Sequence, residues 1–137
     1  MGTWQEDLVE AVKSTAEREA EDEERRRKRV AEGLEVGQAA LRQGAEALRF
    51  AAEKLRDKGL TPELEEKPDE TRLAFRDLGV RLWLERESAV VKVVLGEGKP
   101  REFDFAKDRH LAPKDVEEYV GRRAVELVRT TRRSAPW

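Results

Sequence analysis

The apolar positions of this 137-residue chain fall into two regimes. Up to Lys58 they follow helical spacing, and after Pro68 they alternate with polar residues. Thr3-Trp4-Gln5-Glu6 has the form of a capping box, in which a hydroxyl and a carboxylate satisfy amides left unpaired at a helix start. From Trp4 to Lys58 no proline intervenes and Ala, Glu, Arg, Leu and Lys dominate. The segment therefore predicts one long helix, ending at Lys58-Gly59-Leu60-Thr61-Pro62. Unbroken, it is a rod of roughly 80 Å, against about 30 Å for a domain built from the rest. Gly33, Gly37 and Gly44 are its weak points, each costing about 1 kcal/mol relative to alanine. A bend at Gly33 or Gly37 would instead fold the rod into a hairpin.

Leu34, Leu41, Leu48 and Leu55 recur every seven residues and form a ridge along one seam of this helix. Mostly small residues flank it: Ala31, Gln38, Ala45 and Ala52 on one side, Gly37, Gly44 and Ala51 on the other. The ridge has two destinations. One is a helix of another chain, as in the coiled coil of an oligomer, and the other is the chain's own sheet. Glu35, Arg42, Arg49 and Arg56 lack the alternation of sign that specifies a parallel homodimeric zipper.

Beyond Pro68 the alternation predicts four short strands, around Leu73 and Phe75, around Val80, Leu82 and Leu84, around Val91, Val93 and Leu95, and around Phe103 and Phe105. The connections at Asp77-Leu78-Gly79, Arg86-Glu87-Ser88 and Gly96-Glu97-Gly98 are too short for crossover helices, so the strands form an antiparallel meander. A last helix starts at Pro113, with Asp115, Glu117 and Glu118 near its start and Arg129, Arg132 and Arg133 near its end. Its stripe of Val116, Val120, Ala124, Leu127 and Val128 packs on one face of the meander. The other face carries Trp83, Val90 and Val94 around Lys92, apolar enough to call for a second layer, either the N-terminal helix or another chain. The expected fold is α+β, divided into an arm helix over 1–59, a linker over 60–69 and a meander with its helix over 70–137.

Charge modifies this picture. With 42% charged and 38% hydrophobic residues, only part of the chain can form a core. The formal net charge of −2 conceals a segregation: residues 1–24 carry nine acids against two bases, Lys13 and Arg18, and Arg25, Arg26, Arg27, Lys28 and Arg29 follow without interruption. Glu21 with Arg25, Asp22 with Arg26, Glu23 with Arg27 and Glu24 with Lys28 are i,i+4 pairs, which make a solvated helix of this stretch without any burial. The same run, with Arg122, Arg123, Arg129, Arg132 and Arg133, is also the basis of a nucleic-acid reading. The acids that precede the run would repel phosphate.

Candidate chemistry is sparse. The absence of cysteine removes disulfides, thiolate metal sites and thiol nucleophiles, and fits a cytoplasmic protein. No stretch approaches the ~20 apolar residues of a membrane span. A membrane-surface role for residues 30–57 is weak, since acids balance the bases there. The single histidine, His110, sits between the last strand and the last helix with no nucleophile in its motif. Gly96-Glu97-Gly98-Lys99 lacks the spacing and the following helix of a phosphate loop. Neither a cofactor nor a metal is expected. The role these features favour is non-enzymatic: an interaction, adaptor or assembly subunit that binds protein, another copy or a larger complex. It would act through Leu34, Leu41, Leu48 and Leu55 and through the face bearing Trp83, Val90 and Val94.

Overall fold

The structure is a computed structural model that describes residues 3–133, apart from the side chain of Arg133. The Thr3 hydroxyl accepts from the Glu6 amide at 3.3 Å and opens helix α1, which runs without a break from Trp4 to Asp57. The hairpin that a break at Gly33 or Gly37 would make does not form. The helix stops where Gly59 adopts φ +79°, so that the Leu60 amide reaches the Leu55 carbonyl at 3.0 Å and the Gly59 amide the Arg56 carbonyl at 2.9 Å.

Five strands follow, β1 (Glu63–Lys67), β2 (Glu70–Phe75), β3 (Leu78–Glu85), β4 (Val90–Leu95) and β5 (Arg101–Asp104). They pair in chain order, each antiparallel to the next. The meander is therefore one strand larger than its hydrophobic pattern indicated, and β1 occupies the segment expected to be a linker. Of its residues only Leu64 is apolar, and the strand is largely exposed, so no period-two signal betrays it. Charges along such an edge discourage pairing with other chains.

Helix α2 (Pro113–Arg133) lies on the sheet with Val116, Val120, Ala124 and Leu127 buried. Helix α1 packs beside it on the same face. There Leu41, Leu48 and Leu55 join Leu73, Leu82, Leu84, Val91, Val93, Val116, Val120 and Leu127 in a single core. The seven-residue ridge is thus not a coiled-coil seam. An antiparallel sheet and α2 cover it from within the chain, which corrects the coiled-coil expectation. Its small flanking residues permit this: a Cβ on Gly33 would stand 2.7 Å from the Phe105 carbonyl oxygen, and one on Gly44 would stand 2.6 Å from Leu82 Cδ2. These glycines serve close approach rather than bending.

With both helices on one face, α1 does not form the second layer expected over Trp83. The other face is covered by its own side chains. Glu70, Trp83, Lys92 and Glu102 stand in register across β2 to β5. The Arg81 guanidinium lies 4.2 Å from the Trp83 ring and pairs with Glu70, and Lys92 Nζ donates to Glu85 at 2.8 Å and to Glu102 at 3.2 Å. Long polar side chains shield an aromatic ring with their stems while their charges stay hydrated.

Candidate interaction surfaces on the helix layer

The core uses only the second half of α1. From Thr3 to Arg29 every residue is exposed, including Trp4 at 71%, Leu8 at 54%, Val9 at 67% and Val12 at 60%. At 100° per residue Trp4, Leu8, Ala11 and Val12 share one side of the helix, whereas Glu6, Glu10 and Glu17 share the opposite side. This half is an amphipathic helix whose apolar stripe is left exposed by the described residues of its own chain.

A second apolar surface lies where the two helices meet. α2 runs parallel to α1, with Val116 and Val120 beside Gly44. The outer ridge between them is left open as a groove of about 900 Å³, lined by Ala47, Phe50 and Ala51 of α1 and by Gly121, Ala124 and Val125 of α2, among others. Phe50 is 61% exposed and Val125 49%. A Cβ on Gly121 would meet nothing within 4 Å, so the groove floor is low at that point. Lys54 and Lys58 stand at one end of the groove, and Glu46, Glu117 and Glu118, with Lys114, at the other. Heptad reasoning passed over Phe50 and Val125, since each stands one side of its helix's buried stripe. The available signal is their size and apolarity at positions where a solvated face would carry charge.

The residues singled out from the sequence lie elsewhere. Leu41, Leu48 and Leu55 are in the core, and Leu34 is half-buried at its edge. On the far face of the sheet Trp83 and Val94 are half-buried and Val90 is 8% exposed. There the hydrogen bonds to Glu85 and Glu102 raise Lys92 above the usual ammonium range. Arg25 meets Glu21 at 3.6 Å and Asp22 at 3.9 Å, and Arg27 meets Glu23 at 3.1 Å, so part of the basic run is engaged by its own helix. Arg26, Lys28 and Arg29 are exposed on the same helix. On α2, Arg123 pairs with Glu126 at 2.7 Å and lies 5.0 Å from the Tyr119 ring, while Arg122, Arg129 and Arg132 are exposed. The side chain of Arg133 lies outside the described residues.

His110 is exposed, its amide held by Asp108 Oδ1 at 2.9 Å. Among the described residues no group of three or more His, Asp or Glu side chains is placed to hold a metal ion, and no helix is long and apolar enough to cross a membrane. Gly96 takes φ +71° in the turn between β4 and β5, so Gly96-Glu97-Gly98-Lys99 is hairpin backbone. No protein-family model, curated protein or solved structure matches this chain.

Proposed function

We propose that this protein is an interaction module, an adaptor or assembly subunit that binds protein through its helix layer. The observation that carries this reading is the groove between α1 and α2, where Phe50 and Val125 stand in solvent over a floor lowered by Gly121. Grooves of this kind accept the apolar side of an amphipathic helix. Burying a side chain the size of Phe or Val contributes about 1.5–3 kcal/mol, so two such residues can decide whether a complex persists. The Trp83 face is the weaker binding surface, because Arg81, Lys92 and their carboxylate partners would have to be displaced first.

The test is affinity capture from the source lysate with the wild-type chain and with the double variant Phe50→Ser/Val125→Ser. Both residues are exposed, so the variant keeps its core. A stoichiometric protein, another copy included, retained by the wild type and lost by the variant is the expected outcome. Equal recovery by both chains contradicts the reading. Nucleic acid recovered instead, and released by salt, would favour the arginine clusters as the working surface.

A further inference from the structure

We infer that α1 is two units on one axis: residues 4–29 form a helix–coil arm that opens and closes while the body stays folded, and ionic strength shifts the balance. The inference goes beyond the interaction reading and is independent of what the groove binds. A helix in a protein is held mainly by the packing of one face. From Thr3 to Arg29 no residue is buried. Among the described residues the side-chain ties of this stretch are local: Thr3 caps Glu6, Arg25 meets Glu21 and Asp22, and Arg27 meets Glu23. Opening the arm therefore breaks no hydrogen bond or ion pair of the body. Opening that starts at Trp4 halts at Gly33. There the helix lies against the Phe105 backbone, with 2.7 Å between that carbonyl oxygen and the place a Cβ would take, and one turn further Gly37 abuts Leu84. Unwinding past this point would uncover the core.

Charge makes the balance salt-dependent. The acids Glu21 to Glu24 stand one turn before the bases Arg25 to Lys28, so the closed helix brings opposite charges together in successive i,i+4 pairs and an extended chain does not. In each pair the acid precedes the base, which is the more favourable order. Like charges one turn apart, as in Glu19 with Glu23 and Arg25 with Arg29, oppose these pairs but are fewer. All these side chains are exposed, so dissolved salt screens them, with a Debye length of about 3 Å in 1 M salt against about 30 Å in 0.01 M. The core contacts of Ala40, Leu41, Leu48 and Leu55 are apolar and are not screened. The consequence is a gated surface. Closed, the arm holds Trp4, Leu8 and Val12 on one side of a helix that ends about 40 Å beyond Gly33, and open, it has no such side.

The experiment is hydrogen exchange on the full chain, read by mass spectrometry of its peptides in about 0.01 M and about 1 M salt. Amides within residues 4–29 are expected to exchange at least about a hundredfold faster than those within 40–55, with the change of protection falling between Val30 and Gly37. The higher salt should speed exchange in the first stretch and leave the second as it was. A second readout uses Ala20→Pro, an exposed position in mid-arm where proline breaks a helix. Circular dichroism of this variant should show less helix, while its body melts at the wild-type temperature. Protection that reaches Trp4 at the level of the core overturns the inference, whether the arm is held by its own body or by a second molecule. So does a body that Ala20→Pro destabilises. Exchange in 4–29 that salt leaves unchanged, or slows, overturns the ionic control.

Discussion

Two glycines in helices illustrate how far context outweighs propensity. Alanine is the better helix former by about 1 kcal/mol at either site. At Gly33, however, the added carbon would lie 2.7 Å from the Phe105 carbonyl oxygen and 2.9 Å from the Ala106 nitrogen, and backbone cannot swing aside as a side chain can. Gly33→Ala is expected to destabilise the fold by about 1–3 kcal/mol, as overpacking does. Gly121→Ala meets nothing within 4 Å and is expected to stabilise it by about 0.5–1 kcal/mol. Urea melts of the two variants check both signs. A second residue-level contact is the Asp69 and Arg86 pair, joined by hydrogen bonds of 2.7 and 2.8 Å between two turns of the meander. These bonds hold the Asp69 carboxyl below the usual carboxylate range. The unfolded chain therefore takes up the proton first as pH falls. The stabilisation is full above the ordinary carboxylate pKa and is lost as pH drops through the lower folded value. Asp69→Asn should accordingly melt below the wild type at pH 7, with the gap closing in acid.

Among the elements, α1 is where sequence and structure agree in part and differ in part, for physical reasons. Its start at Thr3 and its stop near Gly59 follow from local capping chemistry and were legible without tertiary information. The destination of the leucine ridge was not, because the same spacing suits a partner helix and a sheet. Gly33 and Gly44 decide the matter only once Phe105 and Leu82 are seen to approach them. The strand β1 was hidden because a charged edge strand has no buried face to impose alternation. The groove was hidden because it belongs to neither helix alone. Replacing Leu41 and Leu48 with serine places hydroxyls in the core, so the variant should lose cooperative thermal unfolding or melt at much lower temperature. For Leu48→Ala alone the expected cost is about 2–5 kcal/mol. The basic run behaves differently. Changing Arg25, Arg26 and Arg27 to glutamine removes i,i+4 pairs worth about 0.2–0.5 kcal/mol each. Circular dichroism should show a modest loss of helix, with core unfolding unchanged.

At the scale of the whole molecule, the small sheet anchors half of α1 and holds the other half in solvent, so the chain presents a stripe and a groove that cannot meet within one copy. The absence of cysteine makes the groove directly testable, because one introduced thiol is the only one in the chain. Ala51→Cys lies in the groove and Arg72→Cys is exposed on the sheet, and neither change removes a large apolar side chain. Each variant is labelled with a photoactivatable maleimide and irradiated in the source lysate, and the linked peptides are read by mass spectrometry. A protein linked through residue 51, and far less through residue 72, is predicted, and adding Phe50→Ser/Val125→Ser should remove that linkage. Equal yields from the two sites, or no linkage at residue 51, would contradict the groove between α1 and α2 as the working surface.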